Sequence, residues 1–107
     1  MLKGLGDIGN LMKMQREFKA TQKKITSARI SGESTAGEVR ATMSGEYKLL
    51  EIVIDPSFIR DADVKKVEKM IALAVNNAVE KVKDFSAEEM GKLTGGLDMS
   101  ALGNMLK

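Results

Sequence analysis

The sequence predicts an α+β protein in which one long helix precedes a three-stranded antiparallel sheet and two helices follow it. Three observations predict this class. Apolar residues recur every three or four positions in two long stretches on either side of the middle, as in helices that bury one face. In the middle, apolar and polar residues alternate over 39–43, as in a half-buried strand, and residues 47–54 are rich in strand-forming residue types. Turn residues, including the one proline, separate these stretches.

The first helix is predicted to begin near Asp7, with Asp7 or Asn10 as its N-cap, and to end before Arg29, where the period changes. Its apolar row has alternating spacings of three and four residues: Leu11, Met14, Phe18, Thr21, Ile25 and Ala28. A helix of about 20 residues is about 30 Å long. Because that is long for one domain of 107 residues, we expect part of it to reach a partner. We expect residues 1–9 and 97–107 to be flexible ends of this domain, which spans 1–107.

Three strands are predicted next, over residues 30–34, 39–43 and 47–54. In the second, apolar side chains at Val39, Ala41 and Met43 alternate with polar ones. Residues 44–46 are typical of a hairpin connection, and residues 55–57, with Pro56 at their centre, end the third strand. On the third strand one face is predicted to hold Leu50, Ile52 and Ile54.

The next helix is predicted to begin at Asp61 or Asp63 and to cover the sheet with one apolar stripe. The stripe consists of Val64, Val67, Ile71, Ala74, Val75, Ala78, Val82 and Phe85. Leu73 lies on the other side, where a dimer contact and an ordinary exposed leucine are equally good interpretations. The segment from Ser86 to Glu89 matches a capping box, which predicts a separate short helix through Leu93, ended by two glycines at 95–96.

The composition excludes most catalytic chemistry. The chain has no histidine and no cysteine, so Ser-His and Cys-His nucleophile pairs and the usual zinc sites are impossible. A Gly-x-Gly-x-x-Gly match at residues 4–9 lacks the preceding strand that a dinucleotide site needs. Paired acids at Asp61 and Asp63, or at 88–89, are better explained as helix caps. We therefore expect no enzyme activity, no catalytic residue, no cofactor, no metal and no small-molecule substrate.

Membrane association is not expected either. No apolar run approaches the roughly 20 residues that a membrane-spanning helix needs, and glycines and Asp7 interrupt the start of the chain, unlike a signal peptide. The sequence therefore predicts an intracellular, cytoplasmic protein.

The charge distribution points to an anionic partner. The formal net charge is only +2, but residues 1–30 hold seven Lys or Arg and two Asp or Glu, a net +5. On the first helix, the side opposite the apolar row holds five cations and no carboxylate: Lys13, Arg16, Lys19, Lys23 and Lys24. A solvated helix face usually mixes both signs. This basic face is therefore a candidate surface for following the phosphates of a nucleic acid, DNA or RNA. Binding to a membrane surface is a rival interpretation, weakened because the apolar row is needed for packing and lacks tryptophan.

Several segments resemble the YbaB/EbfC family of bacterial nucleoid-associated proteins. They are the leader at residues 9–13, the Gly-Glu-Ser-Thr-Ala-Gly-Glu-Val run at 32–39, Gly45, the Val-Ile-Asp-Pro-Ser strand end at 53–57 and the Ala-Val-Asn-Asn-Ala run at 74–78. The resemblance covers nearly the whole chain. It implies this same α+β fold, a homodimer whose helices protrude like tweezers, DNA binding and a place in the nucleoid.

The resemblance assigns DNA contact to the protruding helices, which here means the five cations of the first helix and, less directly, Lys83 and Lys92. An alternative function stays open at this point. The long apolar row and Leu73 also suit a protein-interaction module that binds no nucleic acid, with the basic face as a solvated surface.

Overall fold

A computed structural model of the protein describes residues 2–94, and the side chains of residues 8–93. The elements follow one another as α1 (Leu2–Thr26), β1 (Arg29–Glu33), β2 (Val39–Ser44), β3 (Leu49–Ile54), α2 (Pro56–Asp61) and α3 (Val64–Thr94). The predicted α+β class is confirmed, with a three-stranded antiparallel sheet in the order β1-β2-β3. The molecule is elongated and measures 73 × 28 × 15 Å. The predicted tail at 97–107 lies outside the described residues.

An irregularity in the pairing of β2 with β3 changes one predicted face. The register shifts between Thr42 and Met43, so that Met43 pairs with Leu49 and Leu50 is an extra residue. Leu50 is 45% exposed, whereas Ile52 is half-buried under the core. The prediction that Leu50 shares one face of β3 with Ile52 and Ile54 is therefore wrong. As the extra residue of the bulge, Leu50 falls outside the alternation of the strand.

The hairpin and the end of β3 explain two further boundaries. β3 begins at Leu49, later than predicted, because Tyr47 adopts a left-handed φ of 65° in the turn. At the end of β3, where a turn was expected over residues 55–57, the short helix α2 begins instead. Asp55 accepts hydrogen bonds from the backbone N and the hydroxyl of Ser57, each 2.9 Å long. Pro56 suits the first helical position because no hydrogen bond is required of its nitrogen there.

The core lies between α3 and the face of the sheet that points toward it. Its buried members are Val39, Ala41, Met43, Met70, Ala74, Ala78 and Val82. The predicted stripe is confirmed at Ala74, Ala78 and Val82, but it misses Met70. Val64 is 71% exposed, because it is the first residue of α3 and lies outside this row of four-residue spacings. Leu73, as predicted, is on the exposed side, at 37%.

α3 is one continuous helix, so the short helix predicted from Ser86 is wrong. Asp63 caps the start of α3, where the backbone N of Lys66 donates to its carboxylate over 2.8 Å. No glycine or proline occurs between there and Gly91, and a serine costs little inside a helix. Ser86 is therefore an ordinary half-buried helical residue. The predicted glycine ending at 95–96 lies outside the described residues.

α1 begins at Leu2, earlier than predicted, so neither Asp7 nor Asn10 is at its N-cap position. Each glycine in a helix costs about 1 kcal/mol, which weakens the helix without ending it. The other end of α1 is attached to the domain. Ile25 is 8% exposed, and its carbonyl lies directly against Gly45, so closely that a Cβ at position 45 would overlap it.

Candidate nucleic-acid interface

The basic face of α1 is fully accessible. All five of its cations are exposed: Lys13, Arg16, Lys19, Lys23 and Lys24. At 100° per residue they occupy an arc of about 140° around the helix. No residue of α1 between Ile8 and Ala20 is buried or half-buried. The helix therefore extends from the domain as an arm with this face in solvent.

Ion pairing divides the five cations into two groups. Among the described side chains, no carboxylate forms an ion pair with Lys13, Arg16, Lys19 or Lys23. Lys24 differs, because its Nζ lies 3.0 Å from Oε2 of Glu89 on α3. Four cations of the arm are therefore free to meet an anion without first breaking a contact that the structure describes.

Glu89 is the buried acidic group of the junction between α1 and α3. It is 6% exposed, and its other oxygen, Oε1, lies 3.2 Å from the Nζ of Lys92. The hydrogen bond from Lys24, followed by that from Lys92, holds the pKa of Glu89 below its ordinary value against the opposing effect of burial. Glu89 is therefore ionised at neutral pH. The sequence pattern shows its i,i+3 spacing to Lys92 but gives no sign of the contact with Lys24.

The second pair of cations suggested by resemblance is engaged locally. Lys83 lies 3.7 Å from Glu80, one turn away on the same helix. Lys92 contacts Glu89 and lies 3.9 Å from Glu88. Exposed pairs of this kind contribute little to stability, but they lower the positive potential that an anion would meet on α3.

The apolar row of α1 lies on the side opposite the cations and is mostly uncovered. Leu11 is 64% exposed, Met14 42% and Phe18 41%, whereas Ile25 at the base is buried. At these three residues the row extends beyond the domain's own core, and that this part of the helix reaches a partner stays a prediction. Large apolar side chains in a row on one helix are typical of a surface that another chain covers.

A second uncovered apolar surface is the edge of the sheet. β3 is an edge strand, and Leu49, Leu50 and Val53 on it are about half exposed, at 48%, 45% and 50%. An edge strand with exposed apolar side chains can pair with another chain. The molecule thus has two apolar surfaces without a partner within the described chain, on α1 and on β3.

The 32–39 run quoted for the resemblance has a structural role. The Ser34 hydroxyl donates to the carboxylate of Glu38 over 2.8 Å, and the same carboxylate accepts from the backbone N of Ala36. Hydrogen bonding to its own backbone amide, then to Ser34 and Ala36, lowers the pKa of Glu38. Gly37 has a φ of 80°, which a side chain would strain. These contacts form the β1–β2 turn, far in sequence from the cations.

Asn77 and Gly32 connect α3 with β1. The Oδ1 of Asn77 accepts a 2.9 Å hydrogen bond from the backbone N of Glu33, which satisfies a donor on the free edge of β1. A Cβ on Gly32 would overlap the backbone of Ala78. The glycine and the asparagine therefore let α3 lie directly on the strand.

Within the described residues, no group of three or more acidic side chains is placed to hold a metal ion, and no helix is long and apolar enough to cross a membrane.

A small sheet with an exposed arm, on which four cations form no ion pair with a described side chain, is an arrangement suited to binding a nucleic acid. Comparison with known families shows to which family this chain belongs. The chain belongs to the YbaB/EbfC DNA-binding family, whose model matches residues 3–97. The resemblance noted in the sequence is thereby confirmed, and this nucleoid-associated family is a DNA-binding family and not an enzyme family.

A solved structure shows the same fold. The uncharacterized protein HP0035 from Helicobacter pylori is similar over 73% of this chain and 90% of its own, with 22% sequence identity and a TM-score of 0.55. At this identity the similarity supports the arrangement of helices and strands. It leaves the cations of α1 to be interpreted from this chain alone.

Proposed function

We propose that this protein is a nucleoid-associated protein that binds duplex DNA as a homodimer, mainly through backbone phosphates, and thereby organises the nucleoid or regulates genes. The residues proposed to contact DNA are Lys13, Arg16, Lys19, Lys23 and Lys24. The observation that carries the proposal is the unpaired state of the first four on an exposed arm, in a chain of a DNA-binding family.

Sequence preference is expected to be weak. Arg16 is the one arginine of the basic face, and arginine is the side chain that most often contacts guanine in the major groove. The lysines act as point charges that follow phosphates. The energy of binding should therefore come from released counterions.

The homodimer is supported by the position of the apolar row. Leu11, Met14 and Phe18 face away from the cations, so a second copy that covers them leaves both basic faces in solvent. Two arms would then offer eight cations without an ion pair to a described side chain per dimer. The edge strand β3 is the second surface at which a copy can pair.

Fluorescence anisotropy with a random-sequence duplex across a salt series tests DNA binding. With six to ten phosphate contacts per dimer, affinity should fall about a thousandfold or more between 50 and 200 mM salt. Replacing Lys13, Arg16, Lys19 and Lys23 with Gln should abolish most binding and flatten the slope.

A matched variant controls for net charge. It replaces Arg60, Lys65, Lys69 and Lys81 with Gln, which also removes one arginine and three lysines, all exposed. This variant should retain most of the affinity. Equal losses in the two variants would contradict the assignment of the site to α1. No binding by the unaltered protein at low salt would favour the protein-interaction module.

The homodimer is tested separately by light scattering at micromolar concentration. We expect twice the chain mass of 11.6 kDa. Replacing Leu11 and Phe18 with Ser should give the single-chain mass if α1 forms the interface. Replacing Val53 with Thr should have that effect if β3 forms it. A single-chain mass for the unaltered protein would contradict the dimer and leave the DNA experiment valid.

A further inference from the structure

The junction between α1 and α3 contains a carboxylate that is shared by two lysines. Glu89 is almost fully buried, yet the side chains of Lys24 and Lys92 that contact its two oxygens are 59% and 61% exposed. Each ammonium group has three donors. The lysines therefore keep one side toward Glu89 and another toward solvent, where an anion can reach them.

We propose that Glu89 competes with DNA phosphate for Lys24, holding the last cation of the basic face against α3 until a phosphate replaces the carboxylate. This inference rests on the proposed function, because it concerns the regulation of the same surface. It divides the basic face into four cations that bind directly and one that must first be released.

The second lysine makes this exchange possible. A buried carboxylate without a partner is strongly unfavourable, so a Glu89 paired with Lys24 alone would not release it. Lys92, at 3.2 Å from the other oxygen, remains as a partner after Lys24 has left. Carboxylate and phosphate oxygens are similar acceptors for a lysine ammonium group.

The exchange also links DNA binding to the position of the arm. Lys24 belongs to α1 and Glu89 to α3, so their contact is one of the attachments between the two helices. Ala20 and Thr21 of α1 line a groove with Glu89, Lys92 and Leu93 at the same junction. When Lys24 moves to a phosphate, this attachment is lost and the arm is held by its remaining contacts.

The first experiment compares Glu89→Gln with Glu88→Gln. Glu88 is the adjacent residue on the same helix, its side chain is 68% exposed and it lies 3.9 Å from Lys92, so the pair of variants is matched in net charge. Glu89→Gln should bind random duplex DNA about three- to tenfold more tightly at 50 mM salt and steepen the slope by about 0.9 for each Lys24 released. Glu88→Gln should change affinity by less than about twofold, since exposed charges are screened.

The second experiment uses Lys23 as the reference for Lys24. Both are exposed lysines in the last turn of α1, but Lys23 has no ion pair with a described residue. In the unaltered background, Lys24→Gln should reduce affinity less than Lys23→Gln does. In the Glu89→Gln background the two losses should become equal.

Distinct results overturn the inference. Affinity of Glu89→Gln equal to that of the unaltered protein or of Glu88→Gln would show that the carboxylate does not compete. Weaker binding by a folded Glu89→Gln, verified by circular dichroism, would show that Glu89 positions Lys24 for DNA instead. Should Glu89→Gln fail to fold, equal losses in the single variants Lys23→Gln and Lys24→Gln would still overturn it. A lack of binding by the unaltered protein refutes the proposed function itself.

Discussion

The two long helices use their apolar residues in opposite ways. On α3, the side chains that face the sheet are small or slender, with Ala74 and Ala78 at its centre and a glycine of β1 beneath them. On α1, the row contains Leu11 and Phe18, which remain in solvent. Small residues let a helix approach a strand closely, whereas large ones on a projecting arm must be covered from outside. A long apolar row in the sequence therefore does not show how much of a helix is buried in the domain's own core.

The largest effect is expected where α3 lies closest to the sheet. A Cβ at Gly32 would overlap backbone atoms of Ala78 and lie 2.7 Å from the carbonyl oxygen of Ala74. A helix backbone cannot move aside as the end of a side chain can. Gly32→Ala should therefore lower the free energy of unfolding by about 3 kcal/mol, at the upper end for overpacking. Urea unfolding followed by circular dichroism measures it.

Gly91→Ala is the matched control, because Gly91 is on α3 and a Cβ there meets no atom within 4 Å. It should stabilise the protein by up to about 1 kcal/mol. If Gly32→Ala were neutral, the close contact between α3 and β1 would be contradicted.

The next largest effect distinguishes the two apolar rows directly. Met70→Ala removes a buried side chain, 8% exposed, and should cost about 2 kcal/mol or more at every protein concentration. Phe18→Ala changes a side chain that is 41% exposed, and within one chain its cost should stay below about 0.5 kcal/mol.

Protein concentration sharpens this second comparison. If a second copy covers the row of α1, the melting temperature of the unaltered protein rises with concentration, and that of Phe18→Ala lies below it at the concentrations where the dimer forms, by mass action. Equal melting temperatures of the two proteins at every concentration would show that Phe18 is outside the interface.

The smallest effect concerns two adjacent asparagines of α3. Asn77→Ala removes the acceptor of the Glu33 backbone N and should cost about 1 kcal/mol. Asn76→Ala, at an exposed position one residue earlier, should change stability by less than about 0.5 kcal/mol. Equal effects would mean that the hydrogen bond at the edge of β1 contributes nothing to stability.

Much of the fold could be predicted because its signals are local. Alternation predicts β2, and the apolar stripe predicts a helix through the asparagine run. Residue type and position limit the cap of α3 to Asp61 or Asp63, and the structure shows that it is Asp63. The bulge at Leu50 and the unbroken course of α3 through Ser86 could not be predicted. They depend on pairing across strands and on a buried row that continues past a residue typical of caps.

The candidate interface was predictable to the same extent. Helical periodicity and charge sign place all five cations on one exposed face. The pairing of Lys24 depends on where the end of α3 meets α1, which no spacing along the chain reports. The difference between Lys23 and Lys24, adjacent and chemically identical, therefore appears only in three dimensions.

The close contact of Ile25 with Gly45 fixes the base of α1, so a tilt of this helix would turn about that end. Displacement grows with distance from a pivot, and at 1.5 Å per residue Lys13 lies about 18 Å from Ile25. A tilt of about 10° would move the Cα of Lys13 by about 3 Å, close to the rise of one base pair, while Lys23 would scarcely move. A tilt of this kind would leave the cations near the base in place and would shift those toward the tip relative to a groove.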